Sequence, residues 1–329
     1  MSVTMGKRDL TPSPLAQLVF DSLLQSSAEG VIKRPLTKLI SGMRRLLLRL
    51  GDPLVCYDLN GIPLLLPLSH ELPLYRKAFP DYSLNLGRIA RQVAGKYPDI
   101  RVIDIGANIG DTAAILRSFA RFPILCIEGN RQFLPLLHKN LASMGGEVDC
   151  AEAFVGSFTG TFRGPLHSAA GTAFLVADQN YGGQVLMQKL TDILPHHPLF
   201  QEAKMIKIDT DGFDCGILVS EKDFLSRTRA VIFFEYDPFS AKRCGVECQP
   251  VFATLATIGY KKILVYDNYG DYHVMAELEN KKLLEDIDQY YSGRQGKRYA
   301  DVVAFPEEDS DLCEAIRAAE LAHFAAIRG

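Results

Sequence analysis

The sequence lacks several features that would define a class of protein at once. No apolar run reaches the ~20 residues that a membrane-spanning helix needs, and the first residues, MSVTMGKRDL, lack the apolar segment of a signal peptide. Seven cysteines are scattered without a disulfide or zinc spacing, and their odd number suits a reducing compartment. The net charge of −3 gives no global electrostatic reason to bind nucleic acid. These absences predict a soluble, cytoplasmic protein that does not bind nucleic acid.

What the sequence does contain, from residue 101 onward, is a regular alternation of short apolar runs and helical patterns. The strand-like runs are RVIDI (101–105), PILCIE (123–128), MIKID (205–209) and AVIFFE (230–235). Repeated βα units of this kind predict an α/β fold with a mostly parallel sheet and helices on both faces.

The predicted α/β domain spans residues 96–306, with different patterns on either side of it. The stretch VCYDLNGIPLLLPL (55–68) is typical of a β-hairpin that turns at Asn60-Gly61. Residues 1–95 are therefore predicted to form a helical and hairpin extension. Residues 307–329 predict a C-terminal helix without evident chemistry.

Within the extension, residues 34–51 predict a basic amphipathic helix that ends at Gly51. Its apolar side chains form one stripe, namely Leu36, Leu39, Ile40, Met43, Leu46, Leu47 and Leu50. Basic side chains accompany them without any acid, namely Lys33, Arg34, Lys38, Arg44, Arg45 and Arg49. Such a helix packs on the domain with its basic face in water, or it makes weak contact with a membrane surface or another anionic partner.

Four of the strand-like runs end in or close to an acidic residue: Asp104, Glu128, Asp209 and Glu235. Ligands of parallel α/β sheets bind at the carboxyl ends of the strands. The four carboxylates are therefore expected to gather at one edge of the sheet, around a ligand.

The turn after the first strand, VIDIGANIGDTAAI (102–115), departs from a dinucleotide fingerprint. Counted from Gly106, Asn108 replaces the second glycine, and Asp111 stands where the third would be. Carboxylates at Asp104 and Asp111 would repel a phosphate, but they suit the positive charges of S-adenosylmethionine. Gly106 and Gly110 are expected to let the backbone approach a bulky ligand, and Asn108 tolerates the left-handed conformation.

Glu128 stands 18 residues after Gly110, where such folds place an acid that binds two ribose hydroxyls. S-adenosylmethionine and NAD both carry that ribose, so Glu128 alone does not choose between them. A purely structural interpretation also exists, in which the turn is a tight corner capped by Asp111.

Four segments together resemble the FkbM-type methyltransferases: DIGANIGDTA, IEGN (127–130), LTDIL (190–194) and IKIDTDGFDCGIL (206–218). The resemblance covers about residues 101–240. It implies a Rossmann-like class I methyltransferase fold, S-adenosylmethionine as cofactor, and O-methylation of a sugar, glycan or natural-product hydroxyl. The family usually has Glu at the position of Asp211 and Glu-Pro at the position of Glu128-Gly129.

The resemblance also implies site residues. Those matching the cofactor-binding motif are Asp104, Gly106, Ala107, Asn108, Gly110 and Glu128. Asp209 and Asp211 match a second acidic motif near the transferred methyl group.

Methyl transfer from a sulfonium is an in-line displacement that depends mainly on alignment, and a base assists a weak hydroxyl nucleophile. Asp209 and Asp211 are candidates for that base, because clustered carboxylates raise one another's pKa. His167, in the small-residue loop GPLHSAAGTAF, is a third candidate. The alternative roles are a helix cap for Asp211 and binding of the cofactor ammonium alone for Asp209. Asp209, Glu235 and Asp237 offer oxygen ligands for a magnesium ion, but whether a metal is used stays open.

The acceptor pocket is expected to come from residues 53–95 and 157–185. The aromatic candidates there are Tyr75, Tyr82, Phe162, Phe174 and Tyr181. A nicotinamide-dependent oxidoreductase or epimerase and a non-catalytic S-adenosylmethionine-binding protein remain as alternatives, and an oligomer is possible.

Overall fold

The computed structural model describes residues 10–25, 33–169, 171–293, 295 and 297–328. Parts of the predicted extension, residues 1–9 and 26–32, lie outside the described residues, as does residue 329 of the predicted C-terminal helix. The side chains of Lys33, Arg34 and Leu36 also lie outside the description.

The helices of the described residues are α1 (Pro14–Gln25), α2 (Lys33–Arg49), α3 (Leu72–Ala78), α4 (Leu84–Lys96), α5 (Asp111–Phe119), α6 (Leu134–Met144), α7 (Leu190–Ile193), α8 (Asp214–Ser220), α9 (Lys222–Thr228), α10 (Pro238–Arg243), α11 (Pro250–Thr257), α12 (Lys281–Ser292) and α13 (Ser310–Arg328). None of them combines the length and the apolar character that crossing a bilayer requires.

The strands of the described residues are β1 (Leu54–Leu59), β2 (Ile62–Pro67), β3 (Val102–Ile105), β4 (Ile124–Ile127), β5 (Val148–Ala151), β6 (Phe154–Val155), β7 (Gly160–Arg163), β8 (Leu166–Ala169), β9 (Thr172–Leu175), β10 (Gln184–Gln188), β11 (Met205–Ile208), β12 (Val231–Tyr236), β13 (Tyr260–Asp267), β14 (Tyr272–Glu277) and β15 (Ala300–Pro306).

The central sheet of the described chain has eight strands in the order β14-β13-β15-β12-β11-β3-β4-β5. The five strands from β12 to β5 run parallel to one another. β15 lies between β12 and β13 and is antiparallel to both. The predicted α/β class, with a mostly parallel Rossmann-like sheet, is confirmed. The strand order reverses between β3 and β11, so a ligand crevice is expected above these two strands.

Two hydrophobic layers cover the sheet, because alternate residues of a strand point to opposite faces. Val102 packs with residues of α4, α5 and α13 on one face. Ile103 and Ile105 pack with residues of α8, α9, α11 and α12 on the other face. Helix α4 belongs to the predicted extension, yet Ile89 and Val93 are part of the first layer. The extension therefore helps to build the core beside the site.

The predicted hairpin is confirmed, since Leu59 of β1 pairs with Ile62 of β2 across Asn60-Gly61. The buried side chain of Asn140 on α6 attaches the hairpin to the rest of the chain. Its amide Nδ2 donates to the carbonyl oxygens of Leu65 at 2.9 Å and Ile109 at 2.8 Å, and its Oδ1 accepts from the Leu65 N–H at 2.8 Å. The hairpin is thus held directly against the turn that follows β3.

The predicted C-terminal helix is confirmed and is α13. It packs beside α4 on one face of the sheet. Arg88 of α4 donates to Glu320 of α13 through two nitrogens, at 2.8 and 2.7 Å. The same guanidinium lies 3.1 Å from Asp81. A bidentate pair with a carboxylate that is 2% exposed fixes the two helices relative to each other.

Candidate functional site

A cavity of about 550 Å³ opens at the carboxyl ends of β3, β4, β11 and β12. Of the nine residues proposed from the sequence for cofactor binding or base catalysis, five line it: Gly106, Asn108, Glu128, Asp209 and Asp211. Asp104, Ala107, Gly110 and His167 are not among the lining residues. The acids at the ends of β4, β11 and β12 do gather there, because Glu235 is also in the lining.

The turn between β3 and α5 brings the ends of three strands together. The N–H groups of Gly106 and Ala107 donate to the Ile127 carbonyl at 2.9 and 3.1 Å. Gly106 has a φ of +77°, and a Cβ there would lie 1.8 Å from the carbonyl oxygen of Asp209. Only glycine permits this approach. Asn108 has a φ of +50°, which confirms the predicted left-handed conformation.

Gly110 has a different role from the one expected. Its φ is +89°, and a Cβ there would lie 3.2–3.5 Å from the side chains of Leu137, Leu141 and Met144. All three residues belong to α6, and none of them lines the cavity. Gly110 therefore lets α5 begin close to α6, and Gly110 itself is not among the lining residues.

Asp104 lies beneath the turn and is fully buried. It pairs across the sheet with Lys207, whose Nζ is 3.1 Å from Asp104 Oδ1 and 3.5 Å from Asp209 Oδ2. Burial alone would lower the pKa of Lys207, but Asp104 and Asp209 outweigh it and raise that pKa. Burial raises the pKa of Asp104, and Lys207 opposes that effect. Lys207 and Asp104 thus form a buried ion pair that supports the turn instead of facing the cavity.

Lys207 is not among the site residues predicted from the sequence. Its ammonium also donates to the Gly106 carbonyl at 3.1 Å. A cation does therefore lie beside the glycine turn, but it is committed to Asp104, to Asp209 and to the backbone.

Glu128 follows β4 and is 8% exposed. Its two oxygens accept from the N–H of Asn108 at 2.9 Å and of Asn130 at 2.6 Å. Burial raises the pKa of Glu128, and these two backbone donors partly offset the effect. Each carboxylate oxygen has a second lone pair, so the group is oriented by the backbone and still able to accept from a ligand.

Two buried polar atoms beside Glu128 have no hydrogen-bond partner in the described residues: Asn108 Oδ1 and Asn130 Nδ2. Both asparagines line the cavity. An unpartnered buried polar group costs free energy unless a ligand or water satisfies it. One acceptor and one donor are thus available at the wall that Glu128 forms.

The loop after β11 carries the second acidic motif. Asp209 is 47% exposed, and Asp211 has a φ of +53°. The cap of this loop is Asp214, which accepts from Thr210 Oγ1 at 2.9 Å and from the Gly212 N–H at 3.2 Å. Helix α8 begins at Asp214. Asp211 is therefore not the helix cap, and it is one of the residues that line the cavity.

Asp211 and Asp214 of this loop, and Glu235 of β12, have raised pKa values. Burial and then Asp209 raise the pKa of Asp211 and of Glu235 well above the ordinary values. Burial also raises the pKa of Asp214, to about 6. A carboxylate with a raised pKa is a stronger base than a free one at the pH where it is ionised.

Asp237, considered above as a metal ligand, caps α10. It accepts from the N–H groups of Phe239 at 3.0 Å and Ser240 at 3.2 Å and from Ser240 Oγ at 2.6 Å. The described residues contain no group of three or more His, Cys, Asp or Glu side chains placed to hold a metal ion.

His167 lies on the β8–β9 hairpin. Its ring is exposed and stacks on Phe174 with 5.2 Å between the ring centroids. Its neighbour Leu166 lines the cavity, whereas His167 does not. The alternation of a strand turns the imidazole to the other face of the hairpin, away from the position expected of a base.

Aromatic rings from the extension and from the end of the sheet also line the cavity. Tyr75 and Tyr82 are stacked at 5.5 Å, and both line the cavity as expected. Tyr269 and Tyr299, which are not among the predicted residues, line it too. Phe162, by contrast, is buried against Phe213, and Tyr181 is outside the lining.

Three solved structures that resemble the chain are methyltransferases. The precorrin-6y C5,15-methyltransferase of Geobacter metallireducens GS-15 is 14% identical, over 64% of this chain and 81% of that chain, with a TM-score of 0.36. The methyltransferase FkbM of Methylobacillus flagellatus KT is 16% identical, over 50% of this chain and 40% of that chain, with a TM-score of 0.37. The METTL16 methyltransferase domain is 11% identical, over 88% of each chain, with a TM-score of 0.43.

No protein-family model and no curated protein sequence matches the chain. With identities under 25% and TM-scores under 0.5, the three likenesses assign neither a reaction nor a ligand to this chain.

Proposed function

We propose that the chain is an S-adenosylmethionine-dependent methyltransferase. The observation that carries the proposal is the wall made by Glu128, Asn108 and Asn130. An oriented carboxylate acceptor lies beside one unpartnered acceptor and one unpartnered donor. A ribose diol donates to carboxylates, and an adenine offers both donors and acceptors, so this wall fits an adenosine group.

The charge of the cavity supports a cofactor without phosphates. Asp111, Asp209, Asp211 and Glu235 line it together with Glu128. Among the described lining residues, Lys297 is the one Lys or Arg side chain. Pyrophosphate would meet several carboxylates and little compensating charge, whereas an ammonium and a sulfonium would be attracted. The nicotinamide alternative is disfavoured on the same ground.

When bound, the cofactor would supply a methyl group already activated on a sulfonium. Glu128 would hold its ribose, and Asp209 would stand near its ammonium. Asp211 lies beside Asp209 on the same loop, and its raised pKa suits the removal of a proton from an acceptor hydroxyl. Gly106 keeps the ends of β3 and β11 close enough for these groups to share one cavity.

The proposed acceptor is a hydroxyl of a sugar, glycan or natural product. The FkbM-type resemblance suggests this class, and the cavity is compatible with it. The stacked rings of Tyr75 and Tyr82 offer a flat apolar surface, and the carboxylates of Asp211 and Glu235 can accept from hydroxyls. Cytoplasmic location and a possible oligomer remain predictions.

Calorimetry with S-adenosylmethionine and NAD side by side tests the cofactor assignment. We expect binding of the first and none of the second. Binding of NAD alone would overturn the proposal in favour of an oxidoreductase or epimerase.

A screen of sugar and polyketide hydroxyls with radiolabelled S-adenosylmethionine tests the reaction. Label transfer to a hydroxyl is the expected result. Tight cofactor binding with label transferred to carbon or nitrogen would keep the methyltransferase and remove the O-methylation. Tight binding with no transfer to any acceptor class would favour a non-catalytic binding protein.

A further inference from the structure

Helix α2 presents an apolar stripe to solvent. Leu39, Met43 and Leu46 of α2, and Leu50 directly after its last residue, are 61%, 36%, 57% and 74% exposed. They follow one another at intervals of four, three and four residues, which places them on one side of the helix. Exposed apolar residues are common singly, but a row of four on one helix side marks a contact surface.

A basic stripe runs beside the apolar one. Lys38, Arg45 and Arg49 are exposed and are spaced by seven and four residues. At 100° per residue, the basic stripe lies roughly 110° around the helix from the apolar stripe. The helix sequence contains no Asp or Glu, so nothing within it neutralises this charge.

The remaining side of α2 is fixed to the protein. Ile40 is 9% exposed, and Leu47 and Leu48 pack against the cluster that contains the β1–β2 hairpin. The guanidinium of Arg44 donates to the carbonyl oxygens of Leu68 at 3.2 and 3.3 Å and of Ser69 at 3.4 Å. Because this side of α2 is fixed to the protein, the helix cannot rotate about its axis to bury its apolar and basic stripes.

We propose that α2 is a docking surface for an anionic lipid bilayer. A helix with an apolar side and a separate basic side lies in the plane of a bilayer interface, with its apolar residues inserted and its basic residues at the headgroups. Charge indicates which partner binds α2, because an anionic surface complements Lys38, Arg45 and Arg49. A second copy of the chain packed through the same stripe would bring two basic stripes together without acids from either helix.

Hydrogen bonds connect the helix that carries the docking surface to one wall of the cavity. Leu68 and Ser69, which accept from Arg44, directly precede His70, Glu71 and Leu72, which line the cavity. Bilayer contact at α2 would therefore hold this wall of the cavity beside the lipid surface.

Sedimentation of the full chain with lipid vesicles tests the proposal. We expect pelleting with vesicles of phosphatidylcholine and phosphatidylserine, and little with phosphatidylcholine alone. Pelleting should fall at least about fivefold when the salt is raised to about 0.5 M, since surface charges are screened. Equal pelleting with both vesicles, or none with anionic vesicles at low salt, would overturn the proposal.

Two double variants separate the contributions of the stripes. Arg45→Glu/Arg49→Glu should lower the partition coefficient by at least about tenfold, because each basic residue near an anionic surface contributes on the order of 1 kcal/mol. Leu46→Asp/Leu50→Asp should abolish binding. Matched controls are Lys281→Glu/Lys282→Glu, two exposed cations on α12, and Leu186→Asp, a leucine that is 66% exposed on β10. Neither control should change pelleting.

Thermal unfolding and S-adenosylmethionine affinity of every variant should match the wild type, so a failure of the proposed cofactor stays distinguishable from a failure of lipid binding. Light scattering without vesicles tests the other occupant. A dimer that dissociates on Leu46→Asp/Leu50→Asp, in a chain that ignores vesicles, would overturn the lipid proposal in favour of a second copy.

Discussion

The ammonium of Lys207 lies 3.1 Å from the carboxylate of Asp104, and the two side chains are 3% and 0% exposed. They face each other from adjacent parallel strands. Lys207 therefore compensates the charge of Asp104, which is buried beneath the glycine turn. Because it is paired and buried, Asp104 is not available to a ligand.

Replacing Lys207 with Met should destabilise the fold severely. Asp104 would remain buried without its cation, which costs about 3–5 kcal/mol of the free energy of unfolding. Chemical denaturation measures this loss, and Lys207→Met/Asp104→Asn should recover part of it. Lys262→Met is a matched control, because its pair with Glu314 is more exposed and worth at most about 1 kcal/mol. An unchanged unfolding midpoint for Lys207→Met would contradict the structural role.

Replacing Glu128 with Ala should raise the dissociation constant for S-adenosylmethionine at least about tenfold. Each hydrogen bond to a charged acceptor contributes roughly 1.5–3 kcal/mol. Calorimetry measures the affinity, and Glu152→Ala, an exposed acid near β5, is the control. Glu128→Gln keeps one acceptor oxygen and should fall between the two. Wild-type affinity in a folded Glu128→Ala variant would remove the ribose assignment.

Gly106 and Gly110 should respond differently to Ala. At Gly106 the added Cβ meets a backbone carbonyl oxygen at 1.8 Å, so β3 and β11 must separate and cofactor binding should be lost. At Gly110 the neighbours are flexible side chains at 3.2–3.5 Å, and only the positive φ is strained. That variant should lose about 1–3 kcal/mol of stability and keep its affinity within a few-fold. Denaturation measures the stability of both variants, and calorimetry measures their cofactor affinity. An equal loss of cofactor binding in the two variants would refute the different roles of the two glycines.

Asp211→Asn should leave cofactor affinity within a few-fold while turnover falls by ~10²–10⁴. The wild-type rate should rise with pH until Asp211 is ionised, and this acidic limb should disappear in the variant. Asp209→Asn should lower both affinity and turnover, since it stands nearest the proposed ammonium. Asp223→Asn, at an exposed site on α9, serves as control. Full turnover by Asp211→Asn with a true acceptor would place the base elsewhere.

The contribution of Asp301 to the stability of the fold should decrease as the pH rises from about 5 to about 8. Burial and Asp209 raise the pKa of Asp301 to about 7, while Asn85 opposes the shift. Between its ordinary pKa of about 4 and the raised value, the folded chain holds a proton that the unfolded chain has released. Stability is therefore lost as the pH passes through this window, and Asp214, with its pKa raised to about 6, acts in the same direction.

Asp301→Asn removes one of these groups, so its free energy of unfolding should fall less between pH 5 and pH 8 than that of the wild type. Denaturation at the two pH values measures the difference. An identical fall in both proteins would contradict the raised pKa.

Much of the architecture could be predicted because its signals are local. The strand β3, the left-handed Asn108 and the hairpin turn at Asn60-Gly61 follow from periodicity and turn chemistry over a few residues. The gathering of Glu128, Asp209 and Glu235 follows from one rule about parallel strands.

Lys207 could have been found but its partner could not. A lone Lys within the apolar strand MIKI must be paired if the strand is buried. The partner depends on the register between β11 and β3, which are about a hundred residues apart in the chain. No local pattern encodes that register.

The roles of Gly110, His167 and Asp214 depend on packing directions. Gly110 faces α6 because of where that helix docks, and His167 faces away from the cavity because of the β8–β9 pairing. Asp211 and Asp214 are both suitable caps, and the residue at which α8 begins decides between them.

The position of β15 within the sheet has a consequence for folding during synthesis of the chain. This strand, residues 300–306, is the last of the described sheet to be synthesised, yet it pairs with β12 on one side and β13 on the other. Until it emerges from the ribosome, both neighbours keep an unpaired edge, and such edges are prone to aggregation. The nascent chain must therefore carry two open strand edges from the synthesis of β13 until residues 300–306 are available, and the sheet closes only then.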